Sequence, residues 1–380
     1  SKNRGNGKLI WFHGASVGEI MSVLPIIKKY DNDKSISKIL ITSSTVSSSK
    51  VLKKIKFKKT IHQFFPIDHV FFSKKFLNYW KPNTAIFMES EIWPAMFKAI
   101  KKQNIPLILL NARVTKKTFY RWLKIEKFSK SVFDLIDIAY PQNSETNFFL
   151  KKLNVKNIKT IGNIKFIGDD DFKNKNIDKK LLLKFKKYKT FVAASTHSSE
   201  EIYAAKTHIL LKKKIKNLLT IIIPRHINRI EQIISEIKDL NLNVVTHSSK
   251  NKKLKNVDIF IVDTFGESKK FYKIATTVFL GKSIIKKEDL AHLGGSGQNP
   301  LEPARFGAKI LHGPNVDNFK EIYKYLYSLK ISSKVKTPQE CASATIFKKN
   351  YKKVKKMKNL SKIILKNTLN ELNKSIHNEI

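Results

Sequence analysis

Short apolar runs ending in turn residues, separated by amphipathic stretches, recur in two series along this chain of 380 residues. In the first series, residues 8–13 (KLIWFH), 39–43 (ILITS), 84–89 (TAIFME) and 106–111 (PLILLN) read as strands, and residues 19–30 and 92–103 carry helical spacing. Nearly continuous apolar strands alternating with helices are the mark of βαβ units. A parallel strand needs a long crossover, and both of its faces are covered. The second series comprises 190–194 (TFVAA), 218–223 (LLTIII), 243–246 (NVVT), 258–262 (DIFIV), 277–280 (TVFL) and 309–312 (KILH), with helical stretches at 198–213 and 228–239. The expected fold class is therefore α/β, with two doubly wound domains and a cleft between them. The first domain is expected at 1–167, a charge-dense connection at 168–189 and the second domain at 190–338. The lysine-rich segment 339–380 is expected to form helices packing on the domains through a stripe of Leu360, Ile363, Ile364, Leu369 and Leu372.

Composition excludes several classes. No run approaches the roughly 20 apolar residues of a membrane-spanning helix. A single cysteine, Cys341, excludes an internal disulfide framework and a thiolate zinc site. The formal net charge of +44 favours anionic partners, although lysines spread over solvated faces would give the same total. The cations are nearly all Lys, so the few arginines (Arg4, Arg113, Arg121, Arg225, Arg229, Arg305) stand out, because a guanidinium offers a fixed fork for oxyanions.

In open α/β sheets, ligands bind beyond the carboxyl ends of the strands, so the residues after each strand matter most. After the first comes His13-Gly14-Ala15-Ser16-Val17-Gly18-Glu19. There Glu19 can either cap the following helix or act as a general base. Glu89-Ser90-Glu91 and Asn111-Ala112-Arg113 follow two further strands, and Gly162-Asn163-Ile164-Lys165-Phe166 closes the first series. In the second series, Ser195 to Glu201 offers hydroxyls and backbone N–H groups as an oxyanion cradle. Pro224-Arg225-His226 places a guanidinium at a strand end, and Asp263-Thr264-Phe265-Gly266-Glu267 forms a turn able to read a base edge. Gly294 to Ala304 (GGSGQNPLEPA) is the strongest single feature. It joins a glycine loop to a helix begun at Pro300, with Glu302 able to accept from both hydroxyls of a ribose.

Taken in order, WFHGASVGE, MESEIWP, NAR, GNIKF, AASTHSSEE, PRH, DTFGE and NPLEPARFGAKILHGPNVDNF resemble the transferases of 3-deoxy-D-manno-octulosonic acid (Kdo). The resemblance spans nearly the whole chain. It implies a GT-B architecture of two Rossmann-like domains and an inverting transfer of Kdo from CMP-Kdo to the lipid A precursor. No cofactor and no catalytic metal are implied, and Asp169, Asp170 and Asp171 are then linker charges. It also implies that Glu19 is the general base and that Glu89, rather than Glu91, together with Lys165 stabilises the transition state. Pro224, Arg225, Phe265, Gly266, Glu267, Asn299, Pro300, Leu301 and Glu302 match the CMP-binding segments. The implied setting is the cytoplasmic face of the bacterial inner membrane, an anionic lipid surface, with no nucleic-acid partner. Three departures from the family pattern stand out. The family's N-terminal anchor and acceptor-binding segment are expected to precede Ser1. An insertion around 285–293 leads into GGSGQNP, where a compact GGHNP is usual. THSSEE stands in place of the more acidic THEGEE. The alternatives are a GT-B enzyme using another nucleotide sugar and a basic nucleic-acid binder, the latter unsupported by any aromatic-rich RNA-reading motif.

Overall fold

A computed structural model describes residues 4–53, 55, 57–168, 177–249, 254–285 and 295–377. The chain divides into two compact units, residues 1–170 with 359–380, and residues 171–358.

In the first unit, β1 (Leu9–His13), β2 (Lys38–Ser43), β3 (Thr60–Phe64), β4 (Thr84–Met88), β5 (Leu107–Ala112) and β6 (Ile138–Pro141) form a sheet in the order β3-β2-β1-β4-β5-β6. All described pairings are parallel. The crossovers carry α1 (Val17–Asp31), α2 (Val46–Lys53), α3 (Val70–Trp80), α4 (Pro94–Lys102), α5 (Lys116–Leu123), α6 (Glu126–Phe133) and α7 (Ser144–Lys152). β1, β4 and β5 are buried along their whole length, which is why they read as unbroken apolar runs. One face of the sheet packs Trp11, Phe76, Trp80, Phe87 and Phe97 into a single cluster. Trp11 meets the ring of Phe87 edge-on, with centroids 5.0 Å apart.

The second unit holds β7 (Lys189–Thr196), β8 (Leu218–Pro224), β9 (Val244–Thr246), β10 (Ile259–Ile261), β11 (Thr277–Leu280), β12 (Lys309–His312) and β13 (Ser332–Lys334), ordered β13-β12-β11-β7-β8-β10-β9 and parallel throughout. Its helices are α8 (Lys179–Phe185), α9 (Glu200–Lys212), α10 (Ile230–Lys238), α11 (Ser268–Tyr272), α12 (Leu301–Arg305), α13 (Lys320–Ser328), α14 (Pro338–Ala344) and the start of α15 (Tyr351–Ile376). Part of the stretch expected as a connection is thus helical: α8 buries Leu181 and Phe185, and Phe185 meets the ring of Phe260 edge-on. Asp169, Asp170 and Asp171 and most of the insertion (286–293) lie outside the described residues.

The last helix buries Ile364 and Leu372 of its expected stripe and leaves Ile363 out. Ile364, Thr368, Leu372 and Ile376 are buried at a spacing of four, whereas Ile363 is 56% exposed. Their side chains enter the core of the first unit, and polar contacts fix the register. Tyr30 donates to Asn373 Oδ1 (2.9 Å), Lys8 Nζ to the carbonyl of Ile376 (2.9 Å), and Lys159 pairs with Glu371 (3.0 Å). Gly162 is obligatory beneath this helix: its φ is +94°, and a Cβ there would stand 2.9 Å from the Ile364 side chain. Leu372→Ala should therefore cost roughly 2–5 kcal/mol, while Ile363→Ala should change stability by less than about 0.5 kcal/mol. Urea unfolding of the two variants reads the difference directly.

Candidate active site

A doubly wound sheet opens a crevice where its strand order reverses, because the flanking crossovers leave on opposite faces. In the first unit this point lies between β1 and β4, which pair directly. The loop after β1 carries Glu19 and the loop after β4 carries Glu89 and Glu91, so sheet order alone gathers these carboxylates.

Ser16 caps α1, and Glu19 reaches back from the third helical position. Ala15 N–H donates to Glu19 Oε2 at 2.8 Å, the Ser16 hydroxyl donates to Oε1 at 2.9 Å, and Glu19 N–H returns to Ser16 Oγ at 3.3 Å. This variant of the capping box, in which the N–H of Ala15 replaces that of the cap residue, holds the carboxylate in one orientation. Burial first, then the charges of Glu89 and Glu91, push its pKa up to about 7. Glu19 is thus at once a cap and a proton acceptor tuned near neutrality, and the two readings of the loop do not compete.

Glu89 is 5% exposed and sits in the left-handed region at φ +49°, a conformation that costs energy for a residue with a Cβ. Its Oε1 lies 2.6 Å from Lys165 Nζ. Lys165 is delivered by a single 3-10 turn, Ile164–Phe166, capped by Asn163, whose Oδ1 accepts from Lys165 N–H at 2.9 Å. Buried Asn111 fixes that turn by accepting Ile164 N–H at 3.0 Å. Asn111 thereby supports Lys165 from within.

Glu91 is held separately. Its Oε2 accepts from Trp93 Nε1 at 3.0 Å and lies 3.1 Å from Nε2 of fully buried His13. Burial lowers the pKa of His13 against the pull of Glu91, which favours a neutral ring. A neutral imidazole facing a carboxylate carries its proton on Nε2. His13 Nδ1 then accepts from the hydroxyl of Thr42 (2.9 Å), whose oxygen receives Trp11 Nε1–H (2.8 Å). Sequence reading quoted His13 within its motif without singling it out. Both carboxylates of the Glu89-Ser90-Glu91 pair have partners, one cationic and one a neutral imidazole.

In the second unit the order reverses between β7 and β11. The expected oxyanion cradle at Ser195–Glu201 is occupied by the chain's own Glu200. This fully buried carboxylate accepts four backbone N–H groups: His197 (3.0 Å) and Lys282 (2.6 Å) on Oε2, Ser283 (2.9 Å) and Ile284 (3.0 Å) on Oε1. It ties the loop after β7 to the loop after β11. Gly281 between them admits no side chain, since a Cβ would stand 2.4 Å from the carbonyl of Ser195. Pro224 is buried at the end of β8, and Arg225 is exposed just beyond it, its N–H donating to the Thr196 carbonyl at 2.9 Å. His197 and His226 rings meet edge-on at 5.4 Å. Burial, then the charges of His226, Lys282 and Arg225, bring the His197 pKa down to about 4. The pKa of Lys282 is likewise lowered, by burial and by Arg225.

The other anticipated residues edge the same end of this sheet. Phe265 is 78% exposed on a turn whose Gly266 has φ +82°. Glu267 pairs with Lys270 and stands 3.6 Å from His247. Asn299 Oδ1 accepts Leu301 N–H at 3.0 Å, Pro300 stands at the cap of α12, Leu301 is buried, and Glu302 lies 3.5 Å from Lys269 Nζ. Gly297 N–H donates to the Lys282 carbonyl at 2.7 Å, which joins the glycine loop to the loop after β11. Among the described residues, no three His, Cys, Asp or Glu side chains gather to hold a metal ion.

Sequence reading missed Glu200, Gly281 and Lys282 as parts of one site. Glu200→Ala would leave buried N–H groups unpaired at about 1–3 kcal/mol each. A clear drop in thermal midpoint is expected, smaller for Glu200→Gln, which keeps one carbonyl acceptor.

Comparison with known proteins agrees with this architecture. Residues 1–167 match the family model of the 3-deoxy-D-manno-octulosonic-acid transferases. The 3-deoxy-D-manno-octulosonic acid transferase of Rickettsia prowazekii is 33% identical over 332 residues, 87% of this chain and 70% of that protein. The enzyme of that name from Haemophilus influenzae is 28% identical over 329 residues, 84% of this chain and 74% of that protein. Among solved structures, UDP-GlcNAc 2-epimerase from Neisseria meningitidis covers 96% of this chain and all (100%) of its own, with a TM-score of 0.60 at 16% identity. Acinetobacter baumannii MurG covers 95% and 94%, with a TM-score of 0.50 at 8% identity. These two likenesses concern the fold, which is GT-B. With two reversal-point sites on two parallel sheets and relatives of this closeness, the chain belongs to the Kdo transferases, glycosyltransferases of lipopolysaccharide synthesis.

Proposed function

We propose that this protein transfers Kdo from CMP-Kdo to the lipid A precursor with inversion at the anomeric carbon and without a catalytic metal. The observation that carries the reading is Glu19, a carboxylate fixed by two hydrogen bonds and raised to about 7. Its ionised form takes the proton from the acceptor hydroxyl as that oxygen bonds to the anomeric carbon. The carbon–oxygen bond to CMP breaks with its electron pair leaving on the phosphate. A base with a pKa near the working pH combines adequate ionised fraction with adequate basicity.

Glu89 and Lys165 act in the same step as a fixed ion pair beside the reacting centre, where preorganised charge is worth most. Arg225 and the turns at Phe265-Gly266-Glu267 and Asn299-Pro300-Leu301-Glu302 take the cytidylate, Arg225 meeting the charge that develops on the leaving phosphate. The setting is the cytoplasmic face of the inner membrane. Among the described residues no helix is long and apolar enough to cross a membrane. The +44 charge supplies attraction to anionic headgroups and to the phosphates of the acceptor.

The direct test incubates the protein with CMP-Kdo and lipid A precursor, with and without EDTA, and weighs the lipid product. Added Kdo mass in both samples supports the reading. Turnover only with another nucleotide sugar would overturn the donor, and loss with EDTA would overturn metal independence. The acid limb gives a second prediction. The base works ionised, so kcat/KM should rise as pH climbs through about 7 and then level off. Glu89→Gln removes a charge that raises the Glu19 pKa and should move that limb to lower pH. Glu19→Gln should lose at least about 10²-fold in kcat with CMP affinity unchanged.

A further inference from the structure

The glycine loop ahead of α12, GGSGQNP, is longer than the compact GGHNP of the family, yet it is tied down residue by residue. Ser296 is 1% exposed. Its hydroxyl donates to Asp317 Oδ2 at 2.9 Å and accepts the N–H of the same residue at 3.0 Å. Its carbonyl accepts Asn318 N–H at 3.2 Å. Gly297 follows with its bond to the Lys282 carbonyl, and the Gln298 carbonyl accepts the hydroxyl of buried Tyr323 at 3.1 Å. Three successive residues are thus held by three elements outside the loop: the 3-10 turn Asp317–Phe319, the loop after β11, and α13.

The glycines serve this closeness. Gly295 and Gly297 have φ of +92° and +80°, and a Cβ would stand 2.7 Å from the Asn318 side chain at the first and 2.8 Å from Val316 Cα at the second. Between them Ser296 contributes a hydroxyl that both gives and takes a hydrogen bond with one partner, which alanine or glycine could not do. Beyond Gln298, Asn299 Oδ1 accepts Leu301 N–H, so the tethered stretch runs without a slack residue into the start of α12, where Glu302 lies. A site rejects a ligand that lacks one hydroxyl only when the group reading that hydroxyl is held in place by the shell behind it.

We infer that Ser296 is a positioning residue for the sugar of the nucleotide: its paired bonds with Asp317 fix the Asn299–Glu302 turn and so set the preference for ribose over 2′-deoxyribose. The inference rests on the reading of Glu302 as the acceptor for both ribose hydroxyls and deepens it. Asp317 closes the pair from the loop after β12, and Tyr323 steadies the residue between Gly297 and Asn299.

Calorimetry with CMP and 2′-deoxy-CMP on the wild type, Ser296→Ala, Asp317→Ala and Asp317→Asn tests this. The wild type should prefer CMP by about tenfold or more, the worth of a hydrogen bond to a charged acceptor. Ser296→Ala should lose most of that preference, CMP weakening towards the deoxy form while the deoxy form holds. Asp317 is exposed, so its variants should fold. Asp317→Ala should lose much of the preference, and Asp317→Asn, which keeps an acceptor for the hydroxyl, should retain it. An unchanged CMP to deoxy-CMP ratio in Ser296→Ala, or equal loss of both nucleotides, would overturn the positioning role. Should Ser296→Ala not fold, an unchanged ratio in Asp317→Ala would do so in its place. A wild type that binds both nucleotides alike would overturn instead the Glu302 reading beneath, and one that binds neither would overturn the donor site.

Discussion

Parallel strand pairing with one reversal of order is the constraint on which everything else in each unit depends. Crossovers force successive strands to the same side until the chain returns to pair on the other flank of its first strand. That return puts β4 beside β1 and β11 beside β7, and loops far apart in sequence meet at two places. Glu19 meets the Glu89-Ser90-Glu91 turn at one, and Ser195–Glu200 meets Gly281–Ile285 at the other. The sites need no special architecture of their own. Each is what the sheet leaves open at its carboxyl edge.

The two places have opposite electrostatic character. At the first, three carboxylates crowd together, and their mutual repulsion with burial gives Glu19 its raised pKa. Lys165 and His13 keep Glu89 and Glu91 in place, the one by charge and the other by a neutral hydrogen bond. At the second, a carboxylate is neutralised by four backbone dipoles and the side chains exposed beyond it are cationic. Proton removal needs the first character, and holding a departing phosphate needs the second.

The buried strands were legible because burial on both faces leaves an unbroken apolar run, as in LIWFH and LLTIII. Of the four edge strands, β9 was read, while β3, β6 and β13 were not. β3 reads TIHQF and is at best half buried, and β13 reads SSK, so neither carries the apolar signal that marks a central strand. Motif reading named Glu19, Glu89 and Arg225, since residues after a strand declare themselves locally. Glu200 looked like one more charge opening a helix, because its partners at 282–284 lie some eighty positions away. Lys282 was hidden by a composition in which a lone lysine carries no information. The apolar stripe of the last helix was read with Ile363 beside Ile364 and Leu372, because leucines and isoleucines crowd on adjacent faces and burial alone separates them.

The final helix begins in one unit and finishes in the other. Its closing residues, Leu372 and Ile376, are buried in a unit whose strands were made more than two hundred residues earlier. On the ribosome the early sheet must therefore wait, its apolar floor uncovered, until the later unit has been synthesised and the returning segment has emerged. Assembly of the first unit is not vectorial, and a nascent chain stalled anywhere before residue 359 presents a sticky surface to chaperones.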